Sequence, residues 1–174
     1  MQTLTNRLRY LRSREALAAV ALPAVIVGKW WGEGGEIAWG MRVAALSLLV
    51  YILVQGTLYW HLKLRSITGQ AALPAYFSQV FCSFKWSNLM LAGGLLVLLF
   101  LPERMPLSDT DLRWTVGLLL GALLEHINYY HYQLMYDTRA AFDHLRRHGR
   151  LRKAALGIDM ARARLTRIAD GCER

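Results

Sequence analysis

Residues 124–137 read LEHINYYHYQLMYD and follow directly on an apolar run, residues 114–124. A carboxylate (Glu125), two imidazoles (His126, His131), two carboxamides (Asn128, Gln133) and four tyrosines thus occupy the second half of an apparent membrane helix. Ionisable groups at membrane depth are costly and are usually paired, turned inward or functional. Glu125 with His126, Asn128 and Tyr129 has the groups of a proton relay, an ion pathway or a general-base site. The plainer reading of the same residues is a buried polar network in which Glu125 bonds to Tyr51 and Gln55 of an earlier helix. A second chemistry is metal or haem ligation, with His61 facing His126 or His131 across a four-helix bundle. Its plain counterpart is a set of interfacial histidines bonded to lipid headgroups.

Helical geometry narrows these options. At 100° per residue, Tyr132, Glu125, Tyr136, Tyr129, Gln133, His126, Asp137 and Tyr130 fall within one arc of about 160°, opposite Leu123, Ile127, Leu134, Leu124 and Met135. His131 lies outside the arc. Ser47, Tyr51, Gln55 and Tyr59 recur every fourth residue and form one polar stripe on an otherwise Leu/Val/Ile helix. The spacing predicts that the two polar faces meet, with Glu125 about 16 Å along its helix from Trp114.

The elements that must carry these residues are membrane spans. The 174-residue chain is 55% hydrophobic, gathered in four blocks. A span needs roughly 20 mostly apolar residues, which places spans near residues 15–31, 37–60, 81–101 and 113–135. The third reaches that length with Lys85 and Asn88 at headgroup level. Pro23 sits inside the first span, and Trp30 and Trp31 anchor its end in place of a small-residue cleavage site, so the segment reads as a retained span and not a secretory signal. Gly93-Gly94 and the Gly117/Gly121 GxxxG offer surfaces for close helix approach.

The formal charge of +9 is concentrated around Arg7–Arg14, Lys63–Lys85 and residues 139–167, whereas the loops near Glu33 and Asp109 are acidic. Cytoplasmic segments carry the Lys/Arg excess, so both termini are expected inside; in a bacterium the membrane is the inner one. Phe142, Leu145, Leu151, Leu156, Met160, Leu165 and Ile168 alternate with arginines, and Gly149 and Gly157 interrupt them. Two or three short amphipathic helices lying on anionic headgroups are expected there. Nothing resembles an RNA-recognition motif, and no nucleic-acid partner is expected. His144 and His148 have a metal-compatible spacing, but neighbouring arginines oppose a cation. Cys82 and Cys172 lack a paired-cysteine spacing and read as structural thiols. No nucleophile elbow, P-loop, HExxH or dinucleotide fingerprint occurs.

The sequence therefore predicts an all-α, four-transmembrane-helix bundle over residues 1–137 and a basic cytoplasmic helical tail over 138–174. The expected function is non-enzymatic: a homo-oligomeric channel or transporter, or a lipid-associated assembly component, with a polar site of Glu125, His126, Asn128, Tyr129, Tyr51 and Gln55. The alternative is a haem- or metal-dependent oxidoreductase or lipid-modifying enzyme using His61 with His126 or His131.

Overall fold

The computed structural model describes residues 2–33, 37–101, 107–135, 143, 146–147 and 149–172; the side chains of residues 2–3 and 166–172 are not among the described features. Tyr136, Asp137, the His144/His148 pair, Phe142 and Leu145 lie outside this set, as do the side chains of Ile168 and Cys172. Five helices and no strands are present among the described residues: α1 (Gln2–Trp31), α2 (Trp39–Ile67), α3 (Phe77–Leu99), α4 (Asp109–Tyr130) and α5 (Ala155–Cys172). The helices α2 and α3 are long and apolar enough to cross a membrane.

The central element is α2, which buries Ala45, Leu46, Leu49, Ile52 and Leu53 between α1 and α4. The helix ends at Thr68, where Gly69 takes φ 72° and lets the amide of Gln70 donate to the Arg65 carbonyl at 3.0 Å, satisfying a carbonyl the helix leaves open. Along α1, Ala18, Ala19, Leu22 and Ile26 lie against the core, and Pro23 is accommodated inside the helix. This helix begins at Gln2, well before the expected start near residue 15. Both α1 and α4 lie on α2 but barely meet one another.

The buried face of α3 is narrow: Phe77, Phe81, Asn88, Ala92 and Leu95. Its other face exposes Trp86, Met90, Val97 and Phe100. Asn88 is 2% exposed, so its side chain belongs to the core between the helices. Gly93, Gly94 and Gly117 meet no atom within 4 Å of an added Cβ among the described residues, so none of these uses the three positions as packing notches.

The fourth helix is shorter than its polar pattern implied, ending at Tyr130 and not near residue 135. The amides of His131 and Tyr132 both turn back to the Ile127 carbonyl at 2.9 Å, and the Asn128 side-chain oxygen accepts from the Leu134 amide at 2.8 Å. A carboxamide that competes for backbone donors in this way stops a helix. Residues 131–133 then run beside residues 152–154, with Gln133 N–H donating to the Arg152 carbonyl at 2.8 Å and Ala154 N–H to His131 at 3.0 Å.

In the tail, α5 is a helix of 18 residues docked on α3 and α4; the number of tail helices expected falls partly on residues outside the described set. Gly157 does not break α5. A Cβ there would stand 2.7 Å from the Tyr130 carbonyl oxygen, so glycine permits the close approach of α5 to the end of α4. Leu156 and Asp159 face inward; Asp159 accepts from the Tyr59 hydroxyl at 2.8 Å and pairs with Lys63 at 2.5 Å.

Candidate functional site

Every fourth residue of a helix returns to the same face, and the end of α4 uses this to sort its polar groups into two sets. His126 and Tyr130 point into the bundle, at 3% and 5% exposure. Glu125 and Tyr129, one step round, face the gap beside α1.

The inward set forms a closed network. Gln55 and Asn88 bond reciprocally, with Gln55 Nε2 donating to Asn88 Oδ1 at 2.8 Å and Asn88 Nδ2 to Gln55 Oε1 at 2.9 Å. The Tyr130 hydroxyl donates to Gln55 Oε1 at 2.9 Å. Asn88 Nδ2 also approaches His126 Nδ1 at 3.5 Å; with the amide as donor, Nδ1 accepts and the ring proton falls on Nε2, which is buried without a partner among the described residues. Tyr51 stands next to this set, bonded to Ser87 at 3.1 Å and edge-on to Phe84. Hydrogen bonds thus join α2, α3 and α4 through groups that would otherwise be unsatisfied in an apolar interior.

The outward set lines a cleft. Tyr129 donates to Glu15 of α1 at 2.5 Å, and Asn128 Nδ2 donates to Glu125 Oε2 at 3.1 Å. Gly56 makes room for the Tyr129 phenol; an added Cβ would stand 2.9 Å from its Cε1 and closer still to its hydroxyl. Because α1 and α4 scarcely touch elsewhere, a cavity of about 870 Å³ opens along α1, walled by Leu17, Ala18, Ala21, Leu22, Val25 and Ile26 with Leu53 of α2, and with Arg14, Glu15 and, from α4, Glu125 as its charged groups. A smaller cavity of about 290 Å³ shares Leu11, Glu15 and Met135 with it and continues along α1 past Arg7, Trp60 and Arg152.

The six residues singled out from the sequence therefore separate. Gln55 and His126 meet through Asn88, while Tyr51 bonds to Ser87. Glu125, Asn128 and Tyr129 sit at the cleft, and Glu125 bonds to neither Tyr51 nor Gln55. The split arises because the arc was drawn for a helix continuing through Asp137, whereas α4 stops at Tyr130, so residues past its end displaced the centre of the arc from the true inward line. Among the three histidines considered as ligands, His126 and His131 come together, with ring centroids 5.8 Å apart. They rise from one helix end and cannot clamp a porphyrin from opposite faces, and no ring contact or hydrogen bond joins His61 to either among the described residues.

Sequence reasoning missed Asn88, Tyr130 and Glu15 as site members. A single carboxamide in a greasy helix and a single acid amid N-terminal arginines were the available signals. It also missed a cluster at the far end of the bundle. There the 2%-exposed Arg42 donates to Asp111 and to Glu33, both at 2.6 Å, and lies 5.5 Å over the Trp30 ring. Glu33 also accepts from Trp114 at 2.9 Å, and Asp111 from Ser108 at 2.6 Å and the Ala38 amide at 3.2 Å. The Arg42 and Trp114 donors hold the Glu33 carboxyl below its usual range. Burial alone would raise Asp111; the combined donors Ser108, Ala38 and Arg42 overcome it and lower the carboxyl.

The chain matches no family model, no curated protein and no solved structure, so any functional reading rests on its own geometry.

Proposed function

We propose that the chain is an integral membrane protein of non-enzymatic type, with four spans carried on α1 to α4 and both termini cytoplasmic, that holds a lipid-like amphiphile in the α1/α4 cleft. The observation that carries this reading is the cleft itself: about 870 Å³, apolar along α1, with Glu15 and Glu125 at one end. Sites for small amphiphilic molecules combine an apolar wall with a few placed polar groups. The spanning arrangement is supported by aromatic clusters at both ends of the bundle. Trp31 and Trp39 are exposed beside the buried Trp30 at one, and Trp60 is half-buried beside Tyr59 at the other, as expected of rings at headgroup level. Lys/Arg-rich segments adjoin the second end.

A channel through the bundle is the less favoured version, because Gln55, Asn88 and Tyr130 bond to one another between α2, α3 and α4 and the buried His126 packs against them. A homo-oligomer belongs to the same proposal, with Gly93, Gly94 and Gly117 free to receive a second copy. The haem or metal reading has no geometric support beyond the proximity of His126 and His131.

The test is retention of lipid after purification from membranes. Native mass spectrometry is expected to find wild-type protein carrying lipid and Ala21→Trp, which fills the apolar half of the cleft, carrying much less at unchanged helicity. Equal lipid on both proteins, or none on either, overturns the reading.

A further inference from the structure

We infer that the occupant of the cleft is an amphiphile with a cationic ammonium headgroup, seated at Glu15 and Glu125 with an alkyl chain along α1. This rests on the reading of the cleft as an amphiphile site and adds the charge and direction of the ligand.

The first observation is the convergence of two acids from different helices. Glu125 and Tyr129 stand one turn apart on α4, and Tyr129 donates to Glu15 of α1 at 2.5 Å, so both carboxylates line the cavity of about 870 Å³. Each accepts from a neutral donor, Tyr129 on Glu15 and Asn128 on Glu125, which leaves its charge in place. Neither belongs to an ion pair among the described residues. A carboxylate has about four lone-pair sites, so both keep acceptor capacity for ammonium N–H groups. A charge set in an apolar wall is costly until a counter-charge joins it, and a cationic headgroup is that counter-charge.

The second observation is the sign of the whole cavity. Arg14 is the cation among its described lining residues; it is exposed, donates to the Tyr10 hydroxyl and lies 5.3 Å over the Tyr10 ring. Arg7 and Arg152 line the smaller cavity and not this one. Two carboxylates against one guanidinium leave the larger cavity net negative, which repels an anionic headgroup and attracts a cationic one.

The third is the path for the chain. Ala18, Leu22 and Ile26 continue the face of Glu15 at helical spacing. From Glu15 to Ile26 that face runs roughly 17 Å at about 1.5 Å per residue, about half the thickness of a hydrocarbon core and so the depth of one leaflet. Leu17 and Val25 on the same wall are exposed, which opens the cavity sideways and lets an alkyl chain enter from the bilayer without passing through the bundle.

The test is equilibrium binding of radiolabelled dodecylammonium to the full chain in micelles of an uncharged maltoside detergent, read by scintillation proximity. Dodecan-1-ol, the same chain without the charge, is the competitor. Saturable binding is expected, with the alcohol weaker by about five-fold or more, the Coulomb gain of a contact ion pair even at the dielectric of water. Glu15→Gln and Glu125→Gln still offer an oxygen to Tyr129 and Asn128; each should weaken dodecylammonium by a similar factor at unchanged helicity and leave the alcohol as it was. Asp109→Asn, at an exposed acid in the first turn of α4, should bind as wild type does, and Ala21→Trp should lose both probes. Equal affinity for the two probes, or glutamine variants that bind like wild type, overturns the inference but leaves the cleft as an amphiphile site. Equal weakening by Asp109→Asn identifies a diffuse surface effect and also overturns it. No saturable binding of either probe, or full binding by Ala21→Trp, overturns the cleft reading as well.

Discussion

Replacing Arg42 by methionine should be among the most damaging single substitutions in the chain. The guanidinium is 2% exposed and donates at 2.6 Å to Asp111, itself 2% exposed. Methionine fills comparable space, so the change tests charge and hydrogen bonding more than volume. Removing one partner of a buried pair costs about 3–5 kcal/mol, because the other charge is left in a poorly polarisable interior. Asp111 keeps the Ser108 hydroxyl and the Ala38 amide, which places the expected loss toward the lower end, about 3 kcal/mol. The remedy follows from the same argument: Asp111→Asn in the Arg42→Met background removes the stranded charge while its one side-chain oxygen still accepts from the Ala38 amide and its NH2 can donate to the Ser108 hydroxyl. The double variant should recover most of the loss.

The pH dependence fixes the sign. Glu33 and Asp111 both titrate below their usual values of 4.5 and 3.8 in the folded protein. Groups lowered on folding stabilise above their unfolded values, and that stabilisation is lost as pH falls through the lower, folded values. The gap between wild type and Arg42→Met should therefore be full at pH 7 and narrow only below about pH 4. Equilibrium unfolding by SDS in mixed micelles, followed by far-UV circular dichroism at pH 7 and pH 3.5, measures both effects. A loss under about 1 kcal/mol at pH 7, or a double variant no better than the single one, would show that Arg42 is not the charge partner on which the far end depends.

Three further outcomes are expected. Gln55→Leu strands Asn88 and the Tyr130 hydroxyl and should cost about 1–3 kcal/mol per orphaned group in the same unfolding assay, while Gln55→Leu with Asn88→Leu should cost less than the two single changes together. Gly157→Val places side-chain atoms against the Tyr130 carbonyl, so α5 should undock and trypsin should cut at Arg162 and Arg164 several-fold faster, on the order of a one-kcal/mol shift in local opening. Gly56→Ala drives a methyl into the Tyr129 ring; amide exchange over residues 4–18 should speed up as Tyr129 leaves Glu15, and unchanged exchange would refute that contact as the tie between α1 and α4.

Helix existence was legible because it depends on local periodicity: α2 and α3 were visible as apolar runs, and the stripe at Tyr51, Gln55 and Tyr59 did turn inward in part. What was not legible depends on partners remote in sequence. Asp159 lies in an arginine-rich stretch that reads as solvated, yet it turns inward because Tyr59 and Lys63 wait there, 100 and 96 positions away. Arg42 drew no reading from the sequence, since nothing local announces that Glu33 and Asp111 converge on it. The end of α4 was misplaced for a third reason. Asn128 has the composition of a helix surface residue, and only the pairing of residues 131–133 with 152–154 reveals that its oxygen caps the exit.

Hydrogen-bond capacity then separates structure from function within the motif. In the inward set nearly every donor has an acceptor: both Gln55 and Asn88 amides are engaged and Tyr130 is spent on Gln55, with only His126 Nε2 left over. A network so nearly satisfied is what a helical interior needs to fix register, and its groups have little left with which to receive a ligand. Glu125 differs. A carboxylate offers about four lone-pair sites, and Asn128 is the one hydrogen-bond donor seen on it among the described residues. It lines the cavity of about 870 Å³ together with a second carboxylate, Glu15. Spare acceptor capacity next to open volume supports placing the proposed site in the α1/α4 cleft and not in the bundle core.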